Sequence, residues 1–294
     1  MLTHTAGLSP AQLDAIAGLE QRVLAVDGGR LKLEWGTLRA RAGDRVEDVL
    51  AWQAGRLVGF LGSYAFGGGP PELAGMVDPT ARRRGVGGAL LDAALALCAE
   101  RGCAEVLLVV PRASPGGRAL ALSRGGAPSR SEHALVLSGR PGPGSYDAGL
   151  RLRAARPDDA PGIARLLAAG FGGVADDLLP RARRDLAATL VAEVAGTLVS
   201  ALRTQRDGAA ADVHGFVVDP DRQGRGIGRE VLRRVCDRLL DDGAKSVGLE
   251  VATDNERALG LYTSLGFRPV AVEDYYALAT TPGSAVTAGR ARRR

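Results

Sequence analysis

The sequence predicts an α/β (α+β) fold in which one domain occurs twice in tandem, and three observations predict it. Two Gly-rich loops, the first at residues 82–87 and the second at residues 223–228, each follow an apolar strand pattern and precede a helical pattern. The loops lie 141 positions apart, and this offset aligns the two halves without a gap from about Ala51 to Gly125. A segment rich in Gly and Pro, which interrupts helices and strands, lies near mid-chain. We expect an N-terminal domain at 1–138, a linker at 139–149, a C-terminal domain at 150–279 and a disordered Arg-rich tail at 280–294.

The elements of the first copy follow from apolar periodicity and from capping and turn residues. Ser9 and Pro10 suit the N-cap and first position of a helix, and Ala54-Gly55 suits a tight hairpin turn. The predicted order is a helix at 9–24, a short helix around Trp35, strands at 46–53, 56–64 and 72–77, a helix from Val86 to Gly102, a buried strand at 104–110, a weakly helical stretch to Gly126 and a strand at 133–137.

The second copy repeats this order with clearer signals. Pro157-Asp158-Asp159 predicts the start of a helix, and Gly266 is placed to end the last one. The predicted order is a strand at 150–154, a helix from Pro157, a second helix extending over 185–190, strands at 190–194, 197–203 and 212–218, a helix after Ile227, a buried strand at 246–251, a helix at 255–265 and a strand at 270–278.

The composition excludes several classes of protein. The chain has 294 residues, of which 46% are hydrophobic and 24% charged, values typical of globular domains with real cores. The net charge is +5, and only two of the 38 basic residues are lysine. Because abundant Arg, Ala and Gly are typical of a GC-rich genome, the arginine content does not predict a nucleic-acid partner.

The cysteines and the N-terminus indicate the compartment. Cys98, Cys103 and Cys236 form no C-x-x-C pair and lie in or beside helical patterns, which indicates a reducing environment and no structural zinc or other metal. The N-terminus lacks a signal-peptide pattern, and no apolar run reaches the ~20 residues of a membrane span. We expect a cytoplasmic protein, monomeric or homodimeric, that does not bind membranes.

Both Gly-rich loops are candidate phosphate sites. Alternating glycines let successive backbone N–H groups face one concavity at the positive end of the following helix, where anions bind. The second loop, Gln223-Gly224-Arg225-Gly226-Ile227-Gly228, lacks the Gly-Lys-Ser/Thr end of a Walker A loop. It also lacks the third glycine of a dinucleotide fingerprint.

The second loop resembles the Q/R-x-x-G-x-G motif of the GCN5-related N-acetyltransferase (GNAT) family. Asn255, Ala258, Tyr262, Gly266 and Phe267 are similar to that family's N-x-x-A-x-x-x-Y-x-x-x-G-F pattern, and the resemblance covers nearly the whole chain as two copies. It implies a mixed, largely antiparallel central sheet flanked by helices in each domain. It also implies an acetyl-CoA-dependent N-acetyltransferase that transfers acetyl to a primary amine of a small molecule by direct attack on the thioester.

The resemblance assigns acetyl-CoA to the loops and to the strands before them. A strand can offer backbone groups to an extended pantetheine arm, and the amide of Val217 is placed to stabilise the oxyanion that develops on the thioester. The candidate cofactor residues of the second copy are Phe216, Val217, Val218, Gln223, Gly224, Arg225, Gly226, Ile227, Gly228, Arg229 and Asn255. Those of the first copy are Met76, Val77, Arg82, Arg83, Arg84, Gly85, Val86, Gly87 and Gly88.

Acetyl transfer moves two protons, because a protonated amine must lose one before it attacks and the CoA thiolate must gain one as it leaves. Tyr262 is the candidate acid. Glu250 is the candidate base, since its place in the strand resembles that of the catalytic Glu of ribosomal-protein-alanine N-acetyltransferases. Asp212 is the alternative base, and His214, on the same strand face, is a third candidate and a candidate substrate contact.

The first copy lacks these groups. At the offset of 141, the counterparts of Tyr262, Asn255 and Glu250 are Ala121, Ser114 and Val109. We therefore expect the N-terminal domain to be catalytically degenerate. For the run 82–84, a ligand-facing role and a merely solvated surface remain open alternatives.

Tandem GNAT halves with one degenerate copy resemble the mycothiol synthase family, which acetylates the cysteinyl amine of a glucosaminyl-inositol thiol. Residues 25–28, followed by the candidate substrate contact Glu34, and the last strand at 272–278 resemble that family. The chain departs from it in lacking a Trp-Thr-Lys run at 199–205, in a shorter loop before Asp212, and at Glu250, where the family has an aromatic residue. A protein N-terminal (alanine) acetyltransferase and a non-catalytic acetyl-CoA-binding sensor are the alternatives.

Overall fold

The computed structural model describes residues 1–66, 69–142 and 149–281. These residues form two compact units: unit 1 contains Met1–Glu132 and the chain from Ala271 onward, and unit 2 contains His133–Val270. Most of the expected linker, residues 143–148, and the expected tail after Thr281 lie outside the described residues.

The first half of the chain alternates strands and helices close to the predicted order. Its elements are β1 (Leu2–Thr5), α1 (Pro10–Asp27), α2 (Trp35–Arg39), β2 (Asp48–Gln53), β3 (Arg56–Tyr64), β4 (Glu72–Val77), α3 (Val86–Glu100), β5 (Glu105–Pro111), α4 (Pro115–Ser123) and β6 (Ala127–Leu137). Ser9 caps α1 by accepting a hydrogen bond from the Gln12 amide, and Pro10 is the first helical residue, as predicted. Strand β1 was not predicted, because four residues of alternating exposure carry little pattern.

The second half follows the same order. Its elements are β7 (Arg151–Ala154), α5 (Ala160–Phe171), α6 (Ala175–Arg184), β8 (Thr189–Val194), β9 (Thr197–Asp207), β10 (Ala210–Val218), α7 (Ile227–Asp241), β11 (Ser246–Ala252), α8 (Glu256–Ser264) and β12 (Arg268–Ala279). The prediction of a helix extending over 185–190 is correct only for a 3-10 turn at Leu186–Ala188, after which β8 begins at Thr189. The second helix is α6, which ends at Arg184 and contains Pro180 in its interior, where proline normally argues against a helix.

Each unit has a mixed, largely antiparallel sheet flanked by helices. In unit 1 the strand order is β1-β2-β3-β4-β5-β12, and β4 and β5 are the parallel neighbours. In unit 2 the order is β6-β11-β10-β9-β8-β7, and β10 and β11 are the parallel neighbours. In unit 1, one face of the sheet packs on α1 and α2 and the other on α3. In unit 2, one face packs on α7 and α8 and the other on α5 and α6. The fold class predicted from the sequence is confirmed.

The last strand of the chain completes the sheet of unit 1. Strand β12 pairs antiparallel with β5 from Glu273 opposite Pro111 to Ala279 opposite Glu105, while His133–Leu137 of β6 belongs to unit 2. The expected domains, 1–138 and 150–279, were each taken as one continuous stretch of chain. The units differ from them because the last strand lies in unit 1 and the end of β6 lies in unit 2. Side chains on both faces of β12 hold the strand in unit 1. Tyr275 packs in the core beneath α1, and Tyr276 packs in the core beneath α3.

A buried polar network lies along β12 in unit 1. The Lys32 ammonium donates a hydrogen bond to the Tyr275 hydroxyl over 2.5 Å, and that hydroxyl donates to Glu132 over 2.6 Å. Lys32 also lies 3.4 Å from the Glu72 carboxylate, which accepts a 2.6 Å hydrogen bond from Arg130. Buried charges are tolerated only when they are paired in this way, so the network connects β12 to β4 and to Arg130 and Glu132, all within unit 1.

Candidate active site

Strand β10 carries a β-bulge directly before the residues expected to bind the donor. His214 lies opposite Arg203 of β9, and pairing resumes with Val217 opposite Ala201, so β10 has one more residue than its partner here. Gly215, inside the bulge, has φ +58°, which glycine adopts without steric cost. The bulge switches the faces of the strand, because Val213 packs in the α7 core whereas Val217 packs against α5. It therefore re-aims the backbone that leads into Val217.

Strands β10 and β11 separate at the same place. Their parallel pairing runs from Ala210–Ser246 to Val213–Leu249, although β10 continues to Val218 and β11 to Ala252. Beyond the last pair, β10 has no backbone pairing with β11 among the described residues, and the Val218 carbonyl accepts the side-chain amide of Gln223. An extended chain such as a pantetheine arm can pair with an open strand edge of this kind.

The second loop connects β10 to α7 through a short 3-10 turn, Pro220–Arg222, which the Asp219 side chain caps. Gly226 takes φ +82° directly before α7, where the first helical N–H groups have no intrahelical partner. Gln223 donates its side-chain amide to the Val218 carbonyl over 3.1 Å. At Gly228 a Cβ would lie 3.3 Å from side-chain atoms of Leu261 and Val218, so the glycine permits close packing of α7. The remaining loop candidates, Gly224, Arg225 and Arg229, lie on this loop and on the first turn of α7, and Ile227 is buried beneath it.

Helix α8 carries the candidate acid and a capping asparagine. Tyr262 is buried, its ring centroid lies 6.1 Å from that of Phe267, and burial raises the pKa of its hydroxyl to about 12. The sequence predicted a helix at 255–265 that includes Asn255. Asn255 instead precedes α8 as its N-cap, and its side-chain oxygen accepts a 3.1 Å hydrogen bond from the Ala258 amide. The side-chain nitrogen of Asn255 can still donate to a ligand, and its side-chain oxygen keeps a second lone pair.

The candidate bases share the other face of the unit 2 sheet. The core beneath α7 contains residues 211, 213, 247, 249 and 251. Because side chains alternate along a strand, Asp212, His214 and Glu250 project to the opposite face. A Cβ at Gly248, the neighbour of Asp212 in the parallel pair, would lie 2.2 Å from its carboxylate oxygen. The Asp212 carboxylate therefore lies across Gly248, and Glu250 follows the last paired residue of β11.

Unit 1 lacks the bulge at the corresponding strand. Strand β4 keeps one register with β3 from Gly59–Val77 to Tyr64–Glu72. It pairs with β5 through Glu72–Leu107 and Leu73–Leu108, which correspond to the pairs that Asp212 and Val213 make with β11. Glu72 is thus the structural counterpart of Asp212 at an offset of 140 rather than 141. The ungapped alignment concealed it, and Arg130 and Lys32 already neutralise its charge.

The first loop repeats the backbone of the second but pairs its charges differently. Arg82 donates to the Val77 carbonyl and makes a bidentate ion pair with Asp27 at 2.8 and 2.6 Å. Arg83 has φ +60° and, like Arg84 and Gly85, is exposed. Met76 and Val77 end β4, and Val86 and Gly87 begin α3. A Cβ at Gly88 would lie 2.7 Å from Arg124, whose guanidinium pairs with Asp92.

The gap between β4 and β5 in unit 1 is small. Its cavity has a volume of about 10 Å³, the space of about one water molecule. The cavity is lined by Leu31, Lys32, Leu33, Ala74, Gly75, Val109, Pro111 and Glu273. Glu34 follows this lining segment as the residue that precedes α2, so the structure places this substrate candidate in unit 1.

Sequence reasoning missed four features of the two sites. These are the bulge at Gly215, the space that Gly248 leaves for Asp212, the position of Glu72, and Arg257 beside the second loop. A Gly in the middle of a strand pattern is a recognised sign of a bulge or a close approach, so Gly215 and Gly248 carried a usable signal. Within the described ranges, no group of three or more His, Cys, Asp or Glu could hold a metal ion, and no helix is long and apolar enough to cross a membrane.

Comparison with known proteins agrees with this geometry. The acetyltransferase (GNAT) family model matches residues 26–124 and again residues 164–267. A mycothiol acetyltransferase of Clavibacter michiganensis is 37% identical over 72% of this chain and 74% of that protein. A mycothiol acetyltransferase of Kytococcus sedentarius is 33% identical over 94% of this chain and 97% of that protein.

Two further proteins extend the comparison. The N-alpha-acetyltransferase RimI of Mycobacterium tuberculosis is 41% identical over 40% of this chain and 78% of that protein. A crystal structure of a GCN5-related N-acetyltransferase from Sphaerobacter thermophilus shares the fold, with a TM-score of 0.76 and 20% identity over 97% of this chain and 98% of that chain. The chain therefore belongs to the GNAT family of N-acetyltransferases, as a tandem member with two GNAT domains.

Proposed function

We propose that this protein transfers acetyl from acetyl-CoA to the cysteinyl amine of a mycothiol precursor, with unit 2 as its catalytic copy. The observation that carries the choice of unit 2 is the bulge of β10, because it re-aims the backbone beside the open edge where β10 and β11 separate. Strand β4 of unit 1 keeps a single register and pairs its buried carboxylate, Glu72, with Lys32 and Arg130. The acceptor rests on similarity to mycothiol acetyltransferases over 94% of the chain.

The second loop would hold the pyrophosphate of acetyl-CoA. Backbone N–H groups at the start of α7 supply donors at the positive end of a helix, and Gly226 gives the loop its curvature.

The pantetheine arm would pair with the open edge of β10 at residues 216–218. The Asp219 amide donates to the Val199 carbonyl of β9. Val217 pairs with Ala201 in the same register, so the Val217 amide faces β9 and not the open edge. The Phe216 amide, on the other edge of the strand, would instead donate a hydrogen bond to the oxygen that becomes negative in the tetrahedral intermediate.

Glu250 would take a proton from the acceptor ammonium, so that the neutral amine can attack the thioester carbon. Glu250 is favoured over Asp212 by position, since it follows the last residue of β11 that pairs with β10, whereas Asp212 lies within the paired stretch. Attack forms the C–N bond and gives the tetrahedral intermediate, whose nitrogen then loses its second proton to solvent. The C–S bond breaks as the carbonyl re-forms, and the CoA thiolate leaves.

Tyr262 would donate a hydrogen bond to that thiolate. Burial raises the pKa of Tyr262 to about 12, whereas a thiol has a pKa of ~8.5. The phenol therefore stays protonated at neutral pH, and complete proton transfer to the thiolate is uphill. Tyr262 stabilises the leaving group as a donor, and solvent completes its protonation.

The direct test incubates the purified protein with acetyl-CoA and one of two acceptors, a cysteinyl glucosaminyl-inositol or a peptide with an N-terminal alanine. The acetylated product is measured by mass spectrometry, because the thiol of the first acceptor interferes with thiol reagents. Acetylation of the aminothiol is the expected result. Acetylation of the peptide alone would contradict the proposed acceptor, and binding of CoA without either product would indicate a sensor.

A protein N-terminal acetyltransferase is the second candidate. It is favoured by the 41% identity with N-alpha-acetyltransferase RimI and by Glu250, whose position resembles that of the catalytic Glu in alanine N-acetyltransferases. The identity covers only 40% of the chain, whereas the mycothiol acetyltransferase similarity covers both copies. The peptide arm of the same experiment decides between the two acceptors.

A further inference from the structure

We propose that Arg257 binds a phosphate group of the donor nucleotide at the second loop. The inference rests on the proposed function, because it takes acetyl-CoA as the donor held by unit 2. It adds a charged side chain from α8 to a site whose other phosphate-binding candidates, the backbone N–H groups, Arg225 and Arg229, all lie on the loop and the first turn of α7.

The position of Arg257 is fixed by two contacts with the start of the loop. One terminal nitrogen, Nη1, donates a 3.1 Å hydrogen bond to the side-chain oxygen of Gln223. The other, Nη2, lies 3.5 Å from where a Cβ of Gly224 would be. Gln223 is itself held by its hydrogen bond to the Val218 carbonyl at the end of β10. The guanidinium therefore lies over the first glycine of the loop, in a position that the end of β10 determines.

The charge of Arg257 is available to a ligand. In the described part of the chain, no carboxylate lies within ion-pair distance of Arg257. Two arginines around the first loop differ, since Arg82 is paired with Asp27 and Arg124 with Asp92. The counterpart of Arg257 in unit 1, at the offset of 141, is Gly116.

Arg83 and Arg84 of the first loop are exposed and, like Arg257, have no carboxylate within ion-pair distance among the described residues. What distinguishes Arg257 is that its hydrogen bond to Gln223 holds the guanidinium over the first glycine of its loop.

A phosphate is the ligand chemistry that fits. The guanidinium presents several N–H donors in one plane, which match the oxygens of a phosphate, and it keeps its charge at any physiological pH. The helix that follows the loop adds its positive end. Acetyl-CoA carries two such groups, a diphosphate and a 3′-phosphate, and both are anionic enough for this contact.

The test measures CoA binding by calorimetry for the wild type and for Arg257→Ala, Arg257→Gln and Arg257→Lys. Removing one charge-assisted hydrogen bond weakens binding by about tenfold, so we expect that loss in the Ala and Gln variants and a smaller loss in the Lys variant, which keeps the charge. The matched control is Arg238→Ala, because Arg238 lies on the last turn of α7, 3.9 Å from Asp242. It should bind CoA as the wild type does.

A second ligand, 3′-dephospho-CoA, identifies the phosphate. If the loss in Arg257→Ala persists with this ligand, the guanidinium contacts the diphosphate, and if the loss disappears, it contacts the 3′-phosphate. The salt dependence of CoA binding should also become shallower in Arg257→Ala, since one charge contact with the ligand is lost.

Three results would overturn the proposal. Wild-type affinity in Arg257→Ala would show that no phosphate contact exists. If Arg257→Gln binds CoA with wild-type affinity while Arg257→Ala binds it more weakly, then Arg257 acts only by holding Gln223 in place. A loss of equal size in Arg238→Ala would show a general charge effect. Failure of the wild type to bind CoA would instead refute the donor assignment of the proposed function.

Discussion

Gly85 and Gly226 have the same backbone conformation, φ 82° and ψ −7°, although 141 residues separate them. Each directly precedes a helix of 15 residues, α3 or α7. Positive φ is the region in which a Cβ costs ~1–2 kcal/mol, so glycine is favoured at both positions. The loop geometry was therefore kept in both copies, and the differences between the copies lie in the strand before the loop and in the charges around it.

The two glycines make a matched pair of variants. Gly85→Ala and Gly226→Ala should each lower the free energy of unfolding by about 1 kcal/mol, because both put an alanine at positive φ. Only Gly226→Ala should also lower kcat/KM for acetyl-CoA, since the second loop is the proposed donor site. Steady-state kinetics and thermal unfolding of both variants check this. Loss of activity in Gly85→Ala alone would move the donor to the first loop.

Tyr262→Phe removes the proposed hydrogen-bond donor to the leaving thiolate and keeps the ring that packs on Phe267. We expect kcat to fall about 100-fold, with the Kd for CoA unchanged. Because burial raises the pKa of Tyr262 to about 12, the phenol is protonated below that pH, and the wild type should show no loss of activity from its ionisation up to about pH 10. A variant with near-wild-type kcat would exclude this role.

The choice between Glu250 and Asp212 can be tested by replacing each carboxylate and by displacing the Asp212 side chain through its neighbour Gly248. Gly248→Ala puts a Cβ 2.2 Å from the present position of an Asp212 carboxylate oxygen and forces that side chain to move. If Glu250 is the base, turnover of Gly248→Ala and Asp212→Asn should stay within about fivefold of wild type, while Glu250→Gln should lose about 100-fold.

The pH–rate profiles provide the second measurement for the base. With Glu250 as base, the decline of kcat/KM at acid pH should be absent in Glu250→Gln and present in Asp212→Asn. The reverse pattern, with Gly248→Ala as impaired as Asp212→Asn, would assign the base to Asp212.

Features with local signals were predicted from the sequence, and features that depend on partners distant in the chain were not. Ser9 and Pro10 predict the start of α1, and the glycines of the loops predict where α3 and α7 begin. These signals are readable from the sequence because helix capping and a positive φ are determined by neighbouring residues in the chain. The exchange of β12 into unit 1 depends on which sheet offers a partner, and the alternating apolar pattern of β12 would suit either sheet.

The candidate site shows the same division. The motif residues from Gln223 to Phe267 could be named because the family pattern is local. The bulge at Gly215 shifts the register by one residue, so the counterpart of Asp212 is Glu72 and not the residue that a constant offset implies. Arg257 was missed because its contact with Gln223 spans 34 positions and follows from how α8 packs beside the loop.

The position of β12 leads to a stability test on two adjacent tyrosines. Tyr275→Phe removes the hydroxyl that accepts from Lys32 and donates to Glu132, so the buried Lys32 and the partly buried Glu132 each lose a partner. We expect the free energy of unfolding of unit 1 to fall by about 1–3 kcal/mol. Tyr276→Phe, on the opposite face of the strand, should change it by less than about 0.5 kcal/mol.

Tryptophan fluorescence reports on unit 1 selectively, because both tryptophans of the chain, Trp35 and Trp52, pack against its core. Urea unfolding followed by this signal should therefore show an earlier midpoint for Tyr275→Phe and an unchanged one for Tyr276→Phe. If β12 instead stabilised the second half of the chain, the tryptophan transition would be the same in Tyr275→Phe and in the wild type. That result would contradict the exchange of the strand, since a defect in β12 can reach Trp35 and Trp52 only if the strand belongs to their sheet.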